Sequence, residues 1–195
     1  MFLTGPSEVI EGKSGKYIAT AFPITEQKIL YKLYNNGTLI STSTDTNNKV
    51  YRKYGGVSLY EESGDIIVDS GISSDVTLQV RAWTEDGNTF SDFVSITAKK
   101  ITYPSSISIN GNANISSTGE YSYTKSFNTN NFTADVLSVS WSLAQTNAAT
   151  LVSSDNDSVT LNVTGISDTS TTIELTCTVT FTGNVTKTTT KNITL

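Results

Sequence analysis

Between Ile173 and Phe181 the chain reads Ile-Glu-Leu-Thr-Cys-Thr-Val-Thr-Phe, apolar at every odd position and polar at every even one. A period of two belongs to an extended strand with one face in a core and the other in water. Shorter versions recur along the chain. Val76, Leu78, Val80 and Ala82 share one parity, and so do Val159, Leu161 and Val163. Asn35-Asn36-Gly37, Asp86-Gly87-Asn88, Asn110-Gly111 and Gly183-Asn184 punctuate these runs. Asn and Gly tolerate the positive φ that a tight hairpin turn requires. No stretch of ten or more residues carries helical periodicity. Strands at this pace, with polar turns between them, predict an all-β protein built as a sandwich.

Two such patterned blocks lie on either side of Lys99-Lys100-Ile101-Thr102-Tyr103-Pro104. For 195 residues this predicts two small modules, 1–102 and 103–195, each able to bury one modest core. In the first, residues 1–12 read as a lead-in. Strands are expected over Tyr17–Phe22 with Pro23 ending it, then Lys28–Tyr34, Thr38–Thr44, Asp65–Asp69, Asp75–Thr84 and Phe90–Lys100. Residues 45–64 read as a long polar connection carrying Tyr51, Tyr54 and Tyr60 around Gly55-Gly56. In the second module the expected strands start at Ile107 and Ile109. They continue through Tyr121–Phe127, Val136–Leu143 with Trp141, Ser158–Val163, Ile173–Phe181 and Val185–Leu195.

Composition removes several kinds of chemistry. The chain has no histidine, so histidine bases, His-dependent nucleophiles and histidine metal ligands are excluded. Its one cysteine, Cys177, cannot form an internal disulfide or a Cys-rich zinc site. It lies on the apolar parity of its strand, which predicts a buried structural thiol. Residues 1–102 hold 12 acids and 10 bases, and residues 103–195 hold 6 and 3. No basic stripe exists to meet phosphates, so no nucleic-acid partner is expected. No apolar run approaches the roughly 20 residues of a membrane helix, so no membrane insertion is expected. Met1 to Pro6 lacks the basic and apolar regions of a secretory signal, which predicts synthesis in a cytoplasm on the condition that Met1 is the native start. Asp155-Asn156-Asp157 lacks the later glycine and glutamate of a calcium loop and reads better as a solvated turn. Glu61 and Glu62 are adjacent rather than spaced across a cleft as glycoside hydrolysis requires. The expectation is a protein with no catalytic residues, no cofactor and no metal.

Residues 103–195 resemble the bacterial immunoglobulin-like domains of surface adhesins and tailed-phage structural proteins. The resemblance is carried by Val139-Ser140-Trp141-Ser142-Leu143, Asn147-Ala148-Ala149-Thr150-Leu151, Val159–Val163 and Ile173–Phe181. It implies that Trp141 packs between the sheets and that Cys177 holds the place of an antibody cysteine. Residues 13–100 look like a fibronectin-III or related immunoglobulin-like module, on Val76–Trp83, Asp86-Gly87-Asn88 and Phe93–Ile96. Together the two resemblances imply two tandem immunoglobulin-like β-sandwiches. They also imply a virion role, as an auxiliary capsid or head-decoration protein assembled in the host bacterial cytoplasm. Many copies would bind the major capsid protein or other virion proteins. The alternatives are a tail or fibre accessory protein, or an adhesin module recognising a host-surface glycan or protein.

Tyr51, Tyr54 and Tyr60, with Arg52 and Lys53, form one candidate contact surface, since Tyr and Arg are enriched at interface hot spots. The competing reading is a loop that folds back over a sheet edge. Trp83 falls on the polar parity of its strand, opposite to Val80 and Ala82. An outward tryptophan can meet a partner or a sugar, or it can pack on Lys and Arg stems of its own sheet.

Overall fold

Strand pairing in this protein turns the apolar parity of each strand toward a facing sheet. The computed structural model describes residues 1–21, 27–129, 131–144, 147–166 and 171–195, and the strand counts below refer to these. The chain divides into two units, Met1–Ile101 and Thr102–Leu195.

The first unit runs through β1 (Phe2–Thr4), β2 (Glu8–Ile10), β3 (Ser14–Lys16), β4 (Ile18–Thr20), β5 (Ile29–Asn35) and β6 (Thr38–Leu39). It continues with β7 (Thr42–Thr44), β8 (Val50–Tyr54), β9 (Val57–Tyr60), β10 (Asp65–Val68), β11 (Val76–Thr84) and β12 (Val94–Lys99). One sheet has the order β3-β10-β9-β8-β7, the other β2-β12-β11-β5-β6, and β1 pairs with β4. Among the described strands of this unit, only β2 and β12 run parallel. Leu33, Leu59, Ile66, Leu78, Val80 and Ile96, each at most 1% exposed, fill the space between the sheets. At the β5–β6 turn, Asn36 and Gly37 take φ of 48° and 78°, which is the positive pair that Asn-Gly supplies cheaply.

Several sequence expectations change here. Residues 45–64 are not an irregular connection. They contain the hairpin β8–β9, with Gly55 and Gly56 at positive φ in its turn. The pattern was hard to read because Arg52 occupies an inward position opposite Leu59. Thr38–Thr44 is not one strand either. β6 belongs to one sheet and β7 to the other, so the chain crosses between sheets at Ile40-Ser41. The lead-in contains β1 and β2. The last strand begins at Val94, and Phe90 joins the sheet only through an isolated bridge to Trp83. Phe22 and Pro23 lie outside the described residues.

The second unit comprises β13 (Ile107–Asn110), β14 (Gly119–Phe127), β15 (Val136–Leu143), β16 (Ala149–Ser154), β17 (Ser158–Val163), β18 (Thr172–Phe181) and β19 (Val185–Thr194). Their order is β13-β14-β17-β16 in one sheet and β15-β18-β19 in the other. First, second, fifth and fourth strands against third, sixth and seventh is the arrangement of a seven-strand immunoglobulin-like sandwich. Leu175, Cys177, Val179 and Phe181 are fully buried, as the alternation of β18 demands. Burial pushes the Cys177 thiol pKa up, which makes it less reactive. Trp141 sits directly opposite Cys177 in the β15–β18 ladder and so shares its face. It is half-buried rather than enclosed, because β15 is an edge strand. Its indole N–H donates to the Asp155 carbonyl at 3.1 Å.

One local device occurs in both units, and it was not anticipated. Tyr17 and Tyr123 are fully buried. The Tyr17 hydroxyl donates to the carbonyl of Pro6 at 2.8 Å, and that of Tyr123 to the carbonyl of Asn112 at 2.9 Å. Each acceptor residue directly follows a glycine that lies against the ring. A Cβ on Gly5 would come within 2.2 Å of the Tyr17 ring, and one on Gly111 within 2.3 Å of the Tyr123 ring. In both places the chain has left its antiparallel partner, β4 or β14. It then runs parallel to the last strand of the unit, through β2–β12 in the first and the Asn114–Thr194 bridge in the second.

Candidate functional site

Register decides what stands on the outside of the β2-β12-β11-β5-β6 sheet. Trp83 opposes Leu30, Arg81 opposes Lys32 and Gln79 opposes Tyr34. Directly opposed residues point to one face, so these six side chains share the outer surface. Two phenylalanines from the segment leading into β12 join them. The Trp83 and Phe90 ring centroids are 4.8 Å apart, and Tyr34 and Phe93 meet edge to face at 5.0 Å. The Arg81 guanidinium lies 3.8 Å from the Phe93 centroid and 4.7 Å from that of Phe90. Lys32 places its ammonium 4.6 Å from the centre of Trp83. The Trp83 indole N–H donates to the Tyr34 hydroxyl at 3.0 Å.

The result is an ordered aromatic and cationic surface. Phe90 is 49% exposed and Phe93 37%, while Trp83, Arg81 and Lys32 are half-buried. Lys32, its neighbour on the same sheet face, thus lies over the Trp83 ring. Among the described residues no carboxylate pairs with Arg81 or Lys32. The turn beneath is held by Asp86, whose carboxylate accepts from Thr84 Oγ1 at 2.6 Å, the Asn88 amide at 3.1 Å and Gln27 Nε2 at 3.0 Å. Those donors hold the carboxyl well below the usual carboxylate pKa. Lys32, Tyr34, Arg81, Phe90 and Phe93 were not singled out from sequence. Their signal was present in the shared parity of residues 30, 32 and 34 with 79, 81 and 83, but only the β5–β11 register brings the two rows together.

The tyrosine-bearing segment lies on the opposite sheet. Tyr51 and Tyr60 face each other across β8 and β9, with ring centroids 5.6 Å apart. Both are half-buried, and Tyr54 is 45% exposed at the end of β8. Arg52 does not join them, which corrects the expectation that it shares a contact surface with the tyrosines. It is 7% exposed, and its Nε donates to Glu61 Oε1 at 2.7 Å. A second guanidinium nitrogen pairs with the same carboxylate, and a third donates to the Ile40 carbonyl. The pair therefore secures the point where the chain crosses between sheets. Trp83 is on a different sheet from the tyrosines, so the two candidates are separate surfaces.

Other acidic candidates have partners. The Asp155 carboxylate accepts from the amides of Asp157 and Ser158 at 2.7 and 2.6 Å, as a turn does, and those bonds lower its pKa. Glu62 pairs with Lys28 at 2.5 Å. Among the described residues no three or more His, Cys, Asp or Glu side chains gather to hold a metal. No described helix is long and apolar enough to cross a membrane.

No protein-family model matches the chain, and no curated protein matches it. Solved structures similar to it include murine CEACAM1b, at 14% identity and TM-score 0.37, over 98% of this chain and 98% of that one. A mouse coronavirus receptor-binding domain complexed with its murine receptor aligns at 13% identity and TM-score 0.40, again over 98% of both chains. Extracellular cadherin domains 1–4 of protocadherin gamma B7 align at 13% identity and TM-score 0.36, over all of this chain. The chain spans about half of that protocadherin structure, 49% of its length. Identities this low bear on fold alone, and the fold rests on the sheet order and strand pairing described above. By that order the chain is all-β, two immunoglobulin-like β-sandwiches in sequence.

Proposed function

We propose that the chain is a non-enzymatic binding protein of a tailed-phage virion, an auxiliary capsid or head-decoration protein that docks through its first sandwich. The observation that carries the binding reading is the outward-facing cluster of exposed Phe90 and Phe93 with half-buried Trp83, Arg81 and Lys32, packed on the buried ring of Tyr34. Trp, Tyr and Arg dominate interface hot spots, and a contiguous exposed apolar patch on a sheet marks a contact surface. Its two cations lack carboxylate partners among the described residues, so the matching surface is acidic. The virion assignment draws on the resemblance of residues 103–195 to phage immunoglobulin-like domains and of residues 13–100 to related modules. In this reading the acidic partner surface belongs to the major capsid protein, and weak single contacts are multiplied over many copies.

Co-sedimentation of the full chain with intact particles from its source tests the reading. The wild-type chain is expected to pellet with particles. Phe90→Ala/Phe93→Ala and Arg81→Glu, shown to be folded by circular dichroism, are expected to bind at least about tenfold more weakly. Particles that never carry the chain would end the virion assignment. Variants that bind as tightly as wild type would remove the patch from the interface.

A further inference from the structure

The second exposed feature of the first sandwich is a groove on the outside of the other sheet. Its walls include Asp45, Asn47, Lys49, Tyr60, Asp65 and Ile67, and the open recess between them measures about 330 Å³. A neighbouring recess of about 230 Å³ shares Lys49, Tyr60 and Ser63. The groove by itself is in the size range of small-ligand sites. One wall is the β7–β8 turn, which is internally braced. Asp45 Oδ1 accepts from the amides of Asn47 and Lys49 at 2.8 and 2.9 Å. Burial, together with the charge and hydrogen bonding of the Asp45 carboxylate, raises the Tyr60 pKa. The opposite wall is β10, with Asp65 and Ile67 turned outward beside Lys16 and Ser14 of β3.

The chemistry of the walls is mixed in a particular way. Tyr60 and Ile67, the latter 41% exposed, supply apolar surface. Asp65 is a weakly committed acceptor, since its closest cation, Lys16, is 3.7 Å away. Asn47, Lys49, Ser14 and Ser63 supply donors. Each hydroxyl of a sugar can donate and accept, while the axial C–H face of a pyranose is apolar and stacks on aromatic rings. A ring-sized recess with an aromatic wall and interspersed donors and acceptors matches that amphipathic ligand. With Asp45 and Asp65 on its walls against Lys49, and Lys16 paired to Asp65, the groove has no excess of positive charge to favour an acidic sugar.

We infer that this groove binds a neutral pyranose, the terminal or internal sugar of a glycan. Tyr60 and Ile67 take the C–H face, and Asp65, Asn47 and Lys49 take the hydroxyls. The inference is independent of particle docking, because the groove and the aromatic patch are on different sheets of the same unit.

The test is an amide chemical-shift titration of the full chain. The probes are the methyl glycosides of glucose, galactose and mannose, and N-acetylglucosamine, with N-acetylneuraminic acid as the charged comparator. At least one neutral sugar is expected to give saturable shifts confined to residues of the groove. Asn47→Ala and Asp65→Asn, both on solvent-facing positions, are expected to weaken that binding at least about tenfold while leaving the remaining spectrum in place. Phe90→Ala/Phe93→Ala is expected to leave it unchanged. Absence of saturable shifts with every neutral sugar at tens of millimolar would overturn the inference. Equal binding by both groove variants, or binding of the acidic sugar alone, would do the same.

Discussion

Arg52 shows how one side chain changes meaning when its strand is placed. Flanked by Tyr51 and Lys53, it looks like part of a contact loop. In the β8–β9 hairpin it opposes Leu59, whose side chain is fully buried, so it must enter the core. A guanidinium there is tolerable only if its donors are used, and Glu61 and the Ile40 carbonyl use them. Removing one partner strands the other charge. Arg52→Ala or Glu61→Ala is therefore expected to cost about 3–5 kcal/mol, read as a lower urea midpoint. Arg52→Met/Glu61→Leu is expected to recover most of that loss, since an apolar pair needs no partner. A double variant no better than the singles would show that the pair contributes more than mutual neutralisation.

At the scale of elements, the two sandwiches share the means by which their first strand changes sheet. Gly5 and Gly111 make room for a tyrosine ring, and the next carbonyl receives its hydroxyl. Gly111 also sits at φ of 140°, where a side chain is strained. Gly111→Ala is expected to destabilise by about 1–3 kcal/mol from overpacking, with backbone strain added. Tyr123→Phe is expected to cost about 1–2 kcal/mol by leaving the Asn112 carbonyl without its donor. Amide hydrogen exchange across β13 and β14 checks both, with faster exchange expected in the glycine variant than in the tyrosine one. The sequence contains Gly5 and Tyr17, and Gly111 and Tyr123, at the same spacing. That spacing became meaningful only once ring and glycine were seen in contact.

For the whole molecule, the same tyrosines place a limit on alkaline stability. Burial pushes the Tyr123 pKa up to about 12 and raises that of Tyr17 further. Their neutral form is favoured by folding. Their contribution is complete below the unfolded value near 10 and disappears as pH rises through the folded values. In a spectrophotometric titration, two of the nine tyrosines are expected to ionise only as the protein unfolds. Loss of near-ultraviolet dichroism should accompany that last step. Ionisation of all nine near pH 10, with the dichroism intact, would contradict the buried placement.

Alternation in β11, β17 and β18, and the Asn-Gly turn after β5, were sufficient from sequence to determine an all-β sandwich protein. That is because the period of hydrophobicity is a local property, and burial follows it strand by strand. Absence of histidine likewise excluded histidine chemistry without any structure. Only the tertiary structure separated Arg52 from the tyrosines and moved Trp83 to another sheet. Only it gathered Lys32, Tyr34, Arg81, Phe90 and Phe93 into one surface, and Asp45, Tyr60 and Asp65 around one groove. These groupings depend on strand register and on where the chain crosses between sheets. A shift of one residue in register inverts every side chain of a strand, and no local pattern in the chain specifies which strand will lie beside which.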